Sequence, residues 1–296
     1  MILTMGDSVC WGQGLKEEHK LDLLYANSQG LPFARAAHSG AVIGTPSDVS
    51  TEVEKGEVPV PFPSLWQQVL ASRDWSQVKL LLLNGGINDV SLTRILNPTI
   101  SVSQLEDLVS QFCNKGMAAL LEVAAKKLTL PNAKIAVLGY FPILSKQSGG
   151  TENQVRALIE LHGVATTSVL EPEGFSFGDL ASRVIENCLT FWNSSNVALN
   201  AAVDAANAAL GKAVCVFVKL PFAENNAMWA PQSLLWELNP LLLPEDEVAD
   251  PREQACEALY GDVVHIPQWT LCARASAGHP NVAGAAKIAA ALSFAL

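Results

Sequence analysis

The run Val78–Leu83 is apolar apart from Lys79, and it constrains the fold more than any other stretch of the chain. A short apolar segment without polar alternation marks a strand covered on both faces, as in parallel sheets. Parallel strands need long crossovers, and helices usually supply them. The run ends abruptly in Asn84-Gly85-Gly86-Ile87-Asn88-Asp89, a turn-forming sequence. Comparable apolar runs occur at Ile2–Met5, Ala36–Ile43, 134–139 and 213–218. Helical patterns fall between and after them: a helix capped by Ser64, one from Ser103 to Lys127, others over 152–170 and 178–210, and a last one from Pro280 to Leu296. Residues 12–34, 45–63 and 221–250 read as loop. The expectation is an α/β fold with a central parallel sheet of about five strands and helices on both faces. In such folds ligands bind beyond the carboxyl ends of the strands.

No internal repeat or linker divides the chain, so residues 1–296 are expected to form one domain with loop insertions near 45–63, 145–180 and 221–260. A hydrophobic fraction of 49% against 16% charged residues allows a large core. Asp and Glu outnumber Lys and Arg by 29 to 19, a net charge of −10. An acidic chain without basic blocks is not expected to bind nucleic acid or anionic membranes. No apolar run approaches the ~20 residues of a membrane span. The N-terminus lacks the features of a signal peptide, so the chain is read as cytoplasmic, or as secreted if a signal peptide was removed. The six cysteines form no CxxC pair, and Cys113, Cys188 and Cys215 sit in apolar patterns and read as core residues. Cys256 and Cys272 flank a loop-rich segment and could bridge under oxidising conditions.

Four residues lie at the ends of expected strands or on the last loop. Ser8 follows the first strand in Gly6-Asp7-Ser8, where free backbone N–H groups surround an exposed hydroxyl. Gly40 follows His38-Ser39, and a glycine there lets a backbone N–H approach a ligand closely. Asn88 offers a side-chain amide after the strongest strand. His279 stands before Pro280, at the start of the last helix. Each alone is ordinary turn or loop chemistry. Together they supply a nucleophile, two oxyanion donors and a base. Asp7 and Asp89 are expected to hold loops.

These blocks resemble those of the SGNH hydrolases, the GDSL esterase/lipase family. Gly6-Asp7-Ser8 matches the family's first block, with Gly12 and Gly14 just beyond. Gly40 matches the oxyanion glycine of the second, Gly86-Ile87-Asn88-Asp89 the third, and His279-Pro280 the last. The resemblance implies a flavodoxin-like three-layer α/β/α sandwich and hydrolysis of carboxylic esters through an acyl-serine intermediate. It implies Ser8 as nucleophile, His279 as base, and an oxyanion hole formed by the N–H groups of Ser8 and Gly40 and the Asn88 amide. A non-catalytic ligand-binding module that keeps the fold is the alternative.

The family writes its last block as Asp-x-x-His, and the aspartate orients the imidazole. Here Ser276 occupies that position. Three arrangements are open: a backbone carbonyl at Ser276, within the Arg274–Ala277 stretch, holds the ring and makes a Ser-His dyad; an acid elsewhere, Asp262 or Glu253, reaches in; or the site only binds. The expected partner is a small-molecule ester, and the apolar segment 234–244 is a candidate acyl pocket or lid. No cofactor or metal is expected, because the glycines match no phosphate-binding fingerprint and no two histidines stand at ligand spacing.

Overall fold

The computed structural model describes residues 1–49, 55–164, 176–239, 245–261 and 267–296. Its centre is a five-stranded, all-parallel sheet: β1 (Ile2–Met5), β2 (Phe33–Arg35), β3 (Leu80–Leu83), β4 (Lys134–Leu138) and β5 (Cys215–Val218), in the order β2-β1-β3-β4-β5. Every residue of β1 and β3 is buried, as continuous apolar runs require. Lys79 lies just before β3 with its side chain exposed, so the charge leaves the strand's burial intact.

Helices cover both faces. On one, the Leu21–Gln29 helix packs beside β1 and β2 and against the C-terminal helix Val282–Ala295. On the other, Leu65–Leu70, the Val102–Lys127 helical stretch and the long Phe177–Leu210 helix pack on one another and on the sheet. The result is a three-layer α/β/α sandwich. The strand order reverses direction between β1 and β3, and the crevice at their carboxyl ends is the expected place for a ligand.

Some elements differ from the sequence expectation. The second strand is Phe33–Arg35, not the following run Ala36–Ile43. It is an edge strand whose residues are only half-buried, so it lacks the apolar signature of the inner strands. Leu21–Gln29 is a helix within a stretch read as loop; Gly30 ends it in the left-handed conformation. The helix expected over Ser103–Lys127 is continuous in space but takes π-helical geometry at Ser110–Gly116. The helix expected over 152–170 is Glu152–Leu161; its later part lies largely outside the described residues. Between 245 and the C-terminal helix, the described residues include the helices Ala249–Tyr260 and Pro267–Ala273. No described helix is long and apolar enough to cross a membrane.

The turn after β1 depends on a buried polar clamp. Ser64 and Gln67 form a capping box on the Leu65–Leu70 helix. Gln68, one residue further along, is buried and turns inward. Its Oε1 accepts from the Gly6 N–H at 2.8 Å, and its Nε2 donates to the carbonyls of Gly6 (3.1 Å) and Pro63 (3.0 Å). Replacing Gln68 with alanine leaves the Gly6 N–H and the Pro63 carbonyl without this partner, while the Gly6 carbonyl keeps its bond from the His38 N–H. The expected loss is about 1–3 kcal/mol in denaturant unfolding, with weakened order at residues 6–8.

Candidate functional site

Ser8 begins a one-turn helix, Ser8–Trp11, directly after β1. Asp7 caps it: Oδ1 accepts from the Val9 N–H at 2.9 Å, and Oδ2 accepts from the Tyr140 hydroxyl at 2.8 Å. The same hydroxyl accepts the Ile87 N–H at 3.0 Å. Tyr140, just beyond β4, therefore joins the Ser8 turn to the Asn88 turn. Complete burial raises the Asp7 carboxyl from 3.8 to about 6, although its hydrogen bonds to Val9 and Tyr140 oppose the shift.

Asn88 follows β3. Its Nδ2 donates to the Ala41 carbonyl at 2.9 Å; this fixes the amide and leaves its second N–H available. Asp89 turns the other way and accepts from the N–H groups of Ile43 (2.8 Å) and Gly44 (3.3 Å). Both aspartates thus hold loops, as expected. Gly40 has φ +76°, and a Cβ there would lie 2.6 Å from the Val60 nitrogen and 2.8 Å from the Pro59 carbonyl carbon. Only glycine fits against this strap. Among the described residues, the main-chain N–H groups of Ser8 and Gly40 donate to no acceptor.

His279 arrives from the opposite end of the chain. A short antiparallel contact clamps its loop: Trp236 N–H donates to the His279 carbonyl (2.8 Å), and Gly278 N–H donates to the Trp236 carbonyl (2.9 Å). The Nε2 of His279 lies 2.7 Å from Ser8 Oγ. Burial pushes the imidazole from 6.5 down to about 4. The carbonyls of Ser276, Ala277 and Ala275 partly oppose that shift, and the charge of Arg252 adds to it.

The far side of the ring departs from the sequence expectation. The Ser276 carbonyl accepts the main-chain N–H of His279 at 2.9 Å, not the ring. The carbonyls of Ser276, Ala277 and Ala275, within the stretch expected to hold the ring, bear on the imidazole, but none is paired with Nδ1 in a full hydrogen bond among the described residues. Glu253 forms no hydrogen bond or ion pair with His279, and Asp262 lies outside the described residues.

Behind Ser276 is a buried ionic cluster without a counterpart in the sequence reading. The Ser276 hydroxyl donates to Asp246 Oδ2 at 2.6 Å. Arg252 grips the same carboxylate through Nη1 (3.0 Å) and Nη2 (2.5 Å), and both side chains are fully buried. Arg252 Nη1 also reaches Glu57 Oε1 at 3.1 Å. Glu57 in turn accepts from Trp11 Nε1 (2.7 Å), Gln13 Nε2 (2.7 Å) and the Gly14 N–H (2.9 Å). Cys256 and Cys272 are disulfide-bonded and join the helix that carries Arg252 to the helix that leads into Ser276.

Ser8, Gly40, Asn88 and His279 share one cleft of about 310 Å³. Its walls are mostly apolar, with Val42, Val60, Leu92, Leu96, Phe141 and Leu158 prominent. His162 also faces it; burial lowers its imidazole to about 4, with His279 adding to the shift. Of the apolar segment 234–244, residues 234–239 are not part of this wall. Leu235 and Leu238 are buried in the core, no residue from 234 to 239 lines the cleft, and 240–244 lie outside the described residues. The lining comes instead from the strap at Pro59–Pro61 and the turns after β3 and β4. A larger groove of about 1330 Å³ runs beside the Phe177–Leu210 helix but contains none of these four residues. No group of His, Cys, Asp and Glu among the described residues could hold a metal ion.

The family model described as GDSL-like Lipase/Acylhydrolase matches residues 2–292. No curated protein matches the chain. Among solved structures, the crystal structure of a Corynascus thermopiles (Myceliophthora fergusii) carbohydrate esterase family 2 enzyme plus carbohydrate binding domain is similar. The two are 16% identical with a TM-score of 0.40, and the alignment covers 78% of this chain and 59% of that chain. The present chain therefore spans about three-fifths of that structure's length.

The disulfide closes a loop with a sequence separation of 16 beside the loop that carries His279. Substituting both cysteines with alanine is expected to cost about 3 kcal/mol on the chain-entropy estimate. Urea unfolding with and without reductant checks this: reductant should lower the native chain's stability to that of the variant and leave the variant unchanged.

Proposed function

Because the chain belongs to the GDSL-like lipase/acylhydrolase family, matched over residues 2–292, we propose that it hydrolyses carboxylic esters through a covalent acyl-serine intermediate. The observation that carries this reading is the 2.7 Å contact between Ser8 Oγ and His279 Nε2 at the mouth of the cleft. Ser8 is the nucleophile. A serine hydroxyl is weakly nucleophilic near neutral pH, and a base within hydrogen-bond reach activates it. His279 takes the hydroxyl proton as the bond to the ester carbonyl forms, then returns it to the departing alcohol. A water molecule, deprotonated by the same ring, releases the acid.

The carbonyl oxygen becomes an oxyanion in the tetrahedral intermediate. The unengaged N–H groups of Ser8 and Gly40 and the second N–H of the Asn88 amide are the donors that meet it. Loss of one such donor typically costs on the order of 10²–10³ in rate. The apolar walls support a substrate with an apolar acyl or aryl group. At about 310 Å³ the cleft is at the small end of ligand sites, which favours short and medium acyl chains over long ones. The Cys256–Cys272 disulfide suits an oxidising compartment.

A fluorophosphonate probe tests the nucleophile. The native chain should be labelled, and Ser8→Ala should lose both labelling and ester turnover while its thermal unfolding stays native-like. A native chain that is never labelled and hydrolyses no ester is a binding module instead. On a panel of p-nitrophenyl esters, kcat/KM should peak at short to medium chains. The pH profile is a separate check. Only neutral His279 can accept a proton, so activity rises with pH through the imidazole pKa. That value is depressed from 6.5 to about 4, so the acid limb of kcat/KM should lie well below pH 6.5 and the rate should be flat through neutrality.

A further inference from the structure

We infer that Asp246 is a positioning residue for His279: it acts through the Ser276 hydroxyl, and Arg252 holds its carboxylate in place. The inference rests on the reading of Ser8 and His279 as nucleophile and base. His279 sits on a loop beyond the sheet, and its Nδ1 makes no full hydrogen bond among the described residues; the carbonyls of Ser276, Ala277 and Ala275 bear on the ring and are themselves part of that loop. The loop must therefore be fixed by other contacts. One is the Trp236 clamp. The other is Ser276, three residues before the base and itself fully buried.

Ser276 is held on several sides. Its hydroxyl donates to Asp246 Oδ2 at 2.6 Å, and Arg252 Nη2 approaches the same hydroxyl at 3.4 Å. Its carbonyl accepts the His279 N–H. Its Cβ packs so closely on Gly14 that a Cβ there would come within 2.8 Å, at a residue already at φ +82°. A hydrogen bond to a buried carboxylate is directional and among the stronger kinds. It fixes Ser276, and with it the turn that aims the ring at Ser8.

The carboxylate also acts through its charge. Arg252 drives the ring toward its neutral form, yet general-base catalysis makes the ring an imidazolium in each transition state. A negative carboxylate beside the guanidinium opposes that unfavourable field. The polar and charged groups around the ring are the Ser8 hydroxyl in front, His162 across the cleft, and Arg252 behind Ser276, itself paired with Asp246 and Glu57.

The experiment compares Asp246→Asn, Ser276→Ala, Arg252→Gln and the double variant Asp246→Asn/Ser276→Asp. Each is followed by thermal unfolding, fluorophosphonate labelling rate, and kcat and KM against pH. Asp246→Asn should lower kcat by ~10²-fold, the scale of a misplaced reacting group, with KM little changed. Ser276→Ala, which leaves the buried ion pair intact, should lower kcat in the same sense. The acid limb should move down in Asp246→Asn, where the guanidinium charge is uncompensated, and up in Arg252→Gln. A purely structural tether would not move the two limbs in opposite directions. The double variant returns a carboxylate to the position three residues before the base and should recover much of the lost kcat. If Asp246→Asn does not fold, Ser276→Ala alone decides the matter through kcat. Native kcat and an unmoved acid limb in folded Asp246→Asn and Ser276→Ala, or limbs shifting the same way in Asp246→Asn and Arg252→Gln, would overturn the inference. A native chain that neither labels nor turns over any ester would instead overturn the serine-hydrolase reading and this inference with it.

Discussion

The site depends on one buried guanidinium. Arg252 has five N–H groups, and each has an acceptor: Nε donates to the Ala273 carbonyl at 3.1 Å, Nη1 to Glu57 and Asp246, and Nη2 to Asp246 and Ser276. That complete matching allows a charge to sit where its side chain has no exposure at all. An isolated ion there would be prohibitively costly, and a buried pair survives only with good geometry and its remaining donors satisfied. Arginine suits the task because its planar fork meets a carboxylate at two points. A lysine could not supply five directed donors.

The cluster joins parts of the chain that the sheet alone does not hold together. Glu57 ties the first loop, through Trp11, Gln13 and Gly14, to the strap that packs against Gly40. Asp246 and Ser276 bring in the loop of His279. The disulfide and the Ala273 carbonyl lock the two helices between them. Ser8 and Asn88 stand on turns that leave strands directly and are held by the nearby Gln68, Asp7 and Tyr140 contacts. His279 does not, because it hangs from a loop after the last of the irregular segments. The polar cluster does for His279 what the backbone ladder does for Ser8.

The parts of this arrangement that were legible in the sequence are those with a local signature. β1 and β3 announced themselves because strands covered on both faces are apolar throughout, and Ser8 and Asn88 were conspicuous because they end those strands. His279 was legible through its proline and the helix that follows. The edge strand Phe33–Arg35 was hidden because half-burial and an arginine erase the apolar pattern. Arg252, Asp246 and Glu57 were hidden for a different reason. In a sequence, charged residues on a short helix and in loops read as solvated surface. Their burial follows from pairing across separations as long as 195 residues, and no periodicity records that. Tyr140, which joins the two oxyanion-side turns, was equally silent, since a tyrosine after an apolar strand reads as core.

The serine at 276 and the acid at 246 also explain one another. Asp246 Oδ2 lies 2.6 Å from the Ser276 hydroxyl. A carboxylate placed at 276 would face a second one at that distance in a buried site, and two like charges so close cannot both stay ionised. Either one would take up a proton and lose its electrostatic use, or the loop would move apart and carry His279 away from Ser8. A hydroxyl avoids the conflict because it donates to the carboxylate and adds no charge. With Arg252 committed to Asp246 and Glu57, the position three residues before the base favours a small neutral donor. The absent aspartate is thus the local consequence of a carboxylate already seated behind it.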